Sequence, residues 1–202
     1  MKFPWATHLL VTSPTKEIAE EARDIIREFL AERGLELSLE KTKITPVDDG
    51  FDFLGYNFRK YQGNLRVKPS QKSIKAICRK IKTFALKGRA WTQDLLIRAL
   101  NPVIRGWSNY HRHNASKNTF VKLDHYVWTV LWQWGKHRHR NKGHKWIACR
   151  YWHSEGNRNW VFQTKKNTLL QFSDATIRRH NIPKLQANHT STENISSTDR
   201  IA

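Results

Sequence analysis

The 202-residue sequence predicts an α+β fold, mainly α: a short N-terminal part with strands, a helical bundle in the middle, and a small basic β-ribbon and helix module after it. Three observations predict it. Apolar residues recur at helical spacing behind capping residues over much of 13–134. Stretches 51–67 and 146–163 instead alternate around Gly-containing turns, as strands do. Charge is partitioned as well: residues 1–60 hold 9 basic and 11 acidic side chains, residues 61–170 hold 23 and 3, and the remainder 4 and 3. The net charge of +19 therefore belongs to the middle of the chain, where a polyanion is the expected partner. A merely soluble basic surface is the competing explanation, against which the interleaved aromatics argue.

Taken in order, Leu9, Leu10 and Val11 form a short apolar run expected to be a buried strand. Ser13 is expected to cap a helix with Pro14 at its first position; Ile18, Ala22, Ile25, Ile26, Phe29 and Leu30 make its apolar stripe and Gly34 stops it. Leu35, Leu37 and Leu39 alternate with Glu36, Ser38 and Glu40, as in a half-buried strand or an extended lead into Lys41. Asp48, Asp49 and Gly50 read as a turn, 51–58 as one strand, and Gln62, Gly63 and Asn64 as the turn of a hairpin returning through 65–67. Pro69 and Ser70 open a helix with Ile74, Ile77, Ile81 and Phe84 on one side. Lys72, Lys75, Arg79 and Lys82 lie roughly 160° away, a basic rail that is either solvated or set against phosphates.

Thr92 starts a short helix through Leu95, Leu96 and Leu100 that Pro102 is expected to break. Asn101 and Pro102 then read as the cap and first residue of another helix to about Arg112. Val103, Ile104, Trp107, Tyr110 and His111 fall on one stripe of it, with Arg105, Asn109 and Arg112 opposite. Ser116 caps the next helix, whose Phe120, Leu123, Val127, Val130, Leu131 and Trp134 face a core. Trp128 and Trp132, with His125, sit on a flank roughly 100° away and suggest a second contact surface, for a neighbouring domain or for stacked bases. Residues 136–145, KHRHRNKGHK, read as a basic loop; 146–152 and 160–163 as strands around Gly156 and Asn157; 169–179 as a short helix; and the Ser/Thr/Asn-rich tail from Gln186 as disordered.

Cys78 and Cys149 stand far apart without ligand spacing, which suits a reduced, cytoplasmic protein. No apolar run reaches the length of a membrane span, and no signal-peptide pattern opens the chain, so no membrane partner is expected. His111, His113, His137, His139 and His144 lack the Cys pair or carboxylates that would complete a ligand shell, so neither a metal nor another cofactor is expected. There is no Gly-rich phosphate loop, nucleophile elbow or pair of catalytic carboxylates; Asp48 and Asp49 belong to a turn.

The run LNPVIRGWSNYHRH, followed by SKNTFVKLDHYVW and LWQWGKHRHRNK, resembles the maturase-specific region, or domain X thumb, of group II intron-encoded reverse transcriptases. GLELSLEKTKI and FDFLGY are similar to the end of that family's palm. The resemblance implies a remnant of the palm over 1–69, a helical thumb over 70–140, a basic nucleic-acid-binding segment over 141–185 and a tail over 186–202. It implies binding to a folded group II intron RNA whose splicing the protein assists, with a DNA target and a separate palm and fingers polypeptide as further partners. The family's Tyr-Ala-Asp-Asp metal site falls on Trp5, Ala6, Thr7 and His8, which lack the carboxylates that two-metal nucleotidyl transfer needs. Lys41 matches the family's lysine near the triphosphate, yet without metals it has nothing to act on. With the fingers and most of the palm absent too, autonomous polymerase activity is not expected, and no residue is assigned a catalytic role. The alternatives are one part of a split reverse transcriptase and a decayed product that folds poorly. The RNA contacts expected are Lys72, Lys75, Arg79, Lys82, Arg105, Arg112, Lys117, Lys122, Trp128, Trp132, Arg138, Arg140, Lys142 and Lys145, because guanidinium and ammonium groups on a rigid bundle suit a ligand that presents its backbone and shape.

Overall fold

The computed structural model describes residues 9–38 and 40–178. Among the described residues the fold is α+β and about half helical, with five α-helices and two small antiparallel sheets. Residues 5–8, Leu39, Arg179 and the tail from Gln186 lie outside the described residues.

Helix α1, Lys16–Ala31, starts two residues later than the sequence suggested: Thr15, not Ser13, is its N-cap and accepts from the Ile18 N–H at 3.4 Å. Ser13 instead donates to the Thr15 carbonyl. None of its residues is buried. The expected strand at Leu9 to Val11 does not form either; the three side chains are exposed, and among the described residues no strand pairs with them. Residues 35–38 are likewise outside any strand.

A three-stranded sheet follows, β1 (Phe51–Phe53), β2 (Tyr56–Tyr61) and β3 (Asn64–Pro69), in the order β1-β2-β3. The single strand expected over 51–58 is broken by a reversal at Leu54 and Gly55. Both carry positive φ, 47° and 80°, and Gln62 and Gly63 repeat the same values in the second turn. Two central residues at positive φ are the geometry that matches the twist of a two-residue hairpin, so Gly at the second position is what lets each turn close. One sheet face packs: Phe51 stacks on Phe58 at 5.3 Å, and Tyr56 stacks on Tyr110 at 5.1 Å.

Three long helices make the core: α2 (Gln71–Lys87), α3 (Gln93–His111) and α4 (Lys117–Arg138). Ser70 caps α2 through the Ser73 N–H, as the sequence predicts. Ile77, Ile81, Leu96, Ile97, Leu100, Ile104, Phe120, Leu123, Val127, Leu131 and Trp134 form one buried cluster. At about 25 cal/mol per Å² of apolar surface removed from water, this cluster supplies the main drive for the bundle. The two helices expected to meet at Pro102 are a single one. Pro102 and Arg98, whose carbonyl it leaves without a donor, are both exposed residues of α3, while Leu96, Leu100, Ile104 and Ser108 continue the buried stripe straight past them. Asn101 is accordingly no cap.

Ser116 does precede α4, but its hydroxyl donates to the His111 carbonyl at 2.7 Å rather than capping. Helix α4 runs to Arg138, three residues into the stretch read as loop, and a turn at 139–143 leads into α5, His144–Tyr151. Residues 146–151 are therefore helical, not a strand. The pair Ile147 and Tyr151, four apart and both buried against α4, fixes this choice, and Gly135 leaves room for it: a Cβ there would stand 3.1 Å from Ile147. The ribbon is formed instead by β4 (Trp152–Glu155) and β5 (Arg158–Phe162). Over 169–178, the described part of the expected helix 169–179, the chain forms only a single 3-10 turn, Phe172–Asp174.

Candidate nucleic-acid interface

On α2 the residues Lys72, Lys75, Arg79 and Lys82 are all exposed and share the face opposite Ile77, Ile81 and Ala85. Ten residues of helix place the outer pair about 15 Å apart along the axis. On α3, Arg105 is exposed, whereas Arg112 is half-buried, its Nε enclosed without a hydrogen-bond partner and its carbonyl accepting from the Arg178 N–H. Lys117 and Lys122 are exposed on α4. Among the described residues, ion pairs within 4.0 Å occur only along 16–33 and between Arg158 and Asp174, so none of these cations is neutralised by a carboxylate.

The scarcity of carboxylates has a structural reason. Of the three acidic residues between 61 and 170, two hold the C-terminal segment in place. Asp94 accepts from Thr164 Oγ1 at 3.0 Å and Asn167 Nδ2 at 2.6 Å, and these bonds, Asn167 first, hold its pKa below the usual value. Asp124 accepts the Phe172 and Ser173 N–H groups at 2.6 and 3.0 Å, yet burial pushes its pKa up. Gln93 donates to the Tyr151 and Gln163 carbonyls, and Asn101 bonds Thr168 and Leu170.

The other predicted cations are distributed around the end of α4. Arg138 is pinned to the carbonyls of Arg89 and Trp91 at 3.1 and 2.6 Å and lies over the Trp134 ring. Arg140 contacts His137 at 3.3 Å, Lys142 stands over Trp146 at 5.5 Å, and Lys145 is exposed on α5. Trp128 and Trp132 are half-buried. His125, Trp128 and Trp132 stack in a column with interplanar angles of 11° and 10°, so both faces of Trp128 are taken. Trp152 and Trp160 close over them from the β4–β5 hairpin, and His144 meets Trp132 at 5.8 Å. These rings form the seam between α4 and the hairpin.

Sequence reasoning passed over a second basic face. On the outer side of the sheet, Arg59, Arg66 and Lys68 surround the Tyr61 ring at 5.1, 5.8 and 5.2 Å. Arg59 and Arg66 are direct cross-strand partners, a like-charge pairing that costs the sheet stability. The signal was present in the alternation of Asn57, Arg59 and Tyr61 with Phe58 and Lys60, once the register was known. The sheet is locked to the bundle: Tyr56 donates to the Tyr110 carbonyl, Tyr110 to the Leu54 carbonyl at 2.7 Å, and the Ala115 N–H to Val67 at 3.1 Å.

Between α2 and α3 lies a groove of about 420 Å³ flanked by Ser73, Lys80, Gly106 and Tyr110. Behind it, Trp107 Nε1 donates to Ser73 Oγ at 3.2 Å, which also meets His111 Nε2 at 3.2 Å. His111 is 1% exposed, and burial lowers its pKa to about 4, so it is neutral at pH 7. It acts as a polar tie within the core. Among the described residues no three His, Cys, Asp or Glu side chains converge on a possible metal position, and no helix is long and apolar enough to cross a membrane.

Residues 74–152 match the family described as the group II intron, maturase-specific domain, a span that runs from α2 to the start of β4. No curated protein matches the chain.

Proposed function

The chain carries a group II intron maturase-specific domain over 74–152, and from this premise we propose that it binds folded group II intron RNA and stabilises the form that splices. The observation that carries the reading is the exposed row Lys72, Lys75, Arg79 and Lys82, none with a carboxylate partner, on a helix fixed by a buried core. A rigid row of cations gains more from a polyanion than a mobile one, because less side-chain and backbone freedom is lost on binding. Arg105, Lys117, Lys122, Lys142 and Lys145 extend the surface, and the Arg59, Arg66 and Lys68 face adds to it. In this reading 1–69 is the end of a reverse-transcriptase palm, 70–140 the thumb and 141–185 an accessory nucleic-acid segment; the RNA performs its own splicing chemistry and a DNA target is a secondary ligand. Filter binding at fixed salt, with group II intron RNA and tRNA as competitors, tests it alongside a splicing assay. Tighter binding to the intron and faster splicing are expected; equal binding with unchanged splicing contradicts the reading.

A second reading, that the chain works as one part of a split polymerase, is favoured by one observation. Helix α1 leaves Ile18, Ile25 and Phe29 exposed along one stripe, a surface that a further polypeptide would cover. Primer extension by the chain together with such a polypeptide, and by neither alone, is the outcome this reading requires.

A further inference from the structure

Trp160 stands apart from the other tryptophans of the seam. Its φ is +62°, a left-handed conformation that side chains with a Cβ rarely adopt, and its side chain is 52% exposed. The residue lies in β5 where the register with β4 shifts between His153 and Glu155, so it occupies the bulge position that normally falls to glycine. Its inner edge packs in the seam that Trp152, at 5% exposure, fills, and the rest of the residue stays outside that packing. What the strained backbone achieves is placement: the indole stands edge-on to Trp128 at 6.1 Å and to Trp132 at 6.4 Å, with interplanar angles of 77° and 68°. The inner rings are occupied by one another, whereas Trp160 keeps half its surface toward solvent. At the Trp132 end of the column lies His144, followed in the chain by the exposed Lys145.

We propose that Trp160 is a stacking platform for an unpaired nucleobase, with Lys145, beside His144 at this corner, as the nearest cation for an adjoining phosphate. Every base has a π-face, so such a platform reads single-stranded character rather than sequence. This inference rests on the RNA-binding reading above and deepens it by naming the nucleotide form this corner of the molecule takes: a splayed, single-stranded segment beside the structured RNA that the helical rows would hold. Inside a base-paired duplex the base faces cover one another, which leaves a free face only at its two ends.

The test compares a fluorescein-labelled oligoadenylate with a blunt RNA duplex of the same strand length, by anisotropy at constant salt, on the full chain. Trp160→Gly is the informative variant because glycine suits the left-handed backbone, so the fold is kept while the ring is lost; thermal unfolding no lower than that of Trp160→Ala verifies this. Loss of one stacked base predicts oligoadenylate binding weakened by about 5- to 150-fold with duplex binding unchanged, and Trp160→Phe retaining most of the affinity. Equal oligoadenylate binding by wild type and Trp160→Gly overturns the proposal, as does a proportional loss for both probes. Wild-type binding to duplex alone sinks the platform and leaves the RNA-binding reading standing. Binding to neither probe sinks both.

Discussion

At the scale of single residues, the polar side chains divide between those that hold the fold and those left for a ligand. The partners of Asp124 and Asn101 were not legible, because they are backbone groups 48 and 69 residues away. Asp124→Ala leaves the Phe172 and Ser173 N–H groups without their acceptor and is expected to destabilise by about 1–3 kcal/mol in urea unfolding. Some of that loss is offset, since burial already raises the carboxyl's pKa and penalises its charge. His111 gives the fold a pH dependence. Its folded pKa of about 4 lies below the unfolded value of 6.5, so the unfolded chain binds the extra proton. Stability is then fully present above about pH 6.5, declines as pH falls, and stops declining on this account near pH 4. The full swing is about 3 kcal/mol. Unfolding free energies of wild type and His111→Gln measured at pH 7 and pH 5 check this: the wild type should lose more of its stability than the variant. Arg112 shows the limit of reading a helix face alone, for its guanidinium is half enclosed by segments that the sequence does not place beside it.

At the scale of elements, α2 and α4 were legible almost completely, because each has a cap position followed by an unbroken stripe at 3.6-residue spacing. Pro102 misled because the rule concerns the lost hydrogen bond, and the carbonyl of an exposed residue recovers that bond from water. Helix α5 misled because WIACRYW satisfies both periods; only its packing against Gly135 decides between them. The rail on α2 predicts a dissectable electrostatic contribution. Replacing Lys75 and Arg79 with glutamine should leave thermal unfolding nearly unchanged, weaken RNA binding, and flatten log K against log[salt] by roughly 1.4 to 1.8 units. The turn after α2 is a packing constraint instead. A Cβ on Gly88 would stand 2.9 Å from the Trp91 ring, beside the carbonyl that accepts Trp134 Nε1 at 2.8 Å. Gly88→Ala is expected to destabilise by about 1–3 kcal/mol, read by thermal unfolding.

At the scale of the whole molecule, the chain combines a bundle with a deep core and an N-terminal helix in which no residue is fully buried. The amphipathic pattern of α1 was legible, but its partner was not, and the expected strand at Leu9 to Val11 fails for the same reason: a strand needs a neighbour to pair with. Stability should therefore be uneven. Native-state hydrogen exchange is expected to show the amides of α1 opening at far lower free energy than those of α2, α3 and α4; equal protection would mean that α1 is covered in solution. The distribution of charge carries the functional account. Cations fixed on α2, α4 and the outer sheet face, with two of the three nearby carboxylates committed to structure, are what a folded RNA would meet. The most direct measurement is the affinity for group II intron RNA across a salt series. Contact with about six phosphates predicts a slope of log K on log[salt] of roughly −4 to −5. A slope near zero, or binding no stronger than to an uncharged polymer, would contradict the claim that this basic array is an RNA-binding surface.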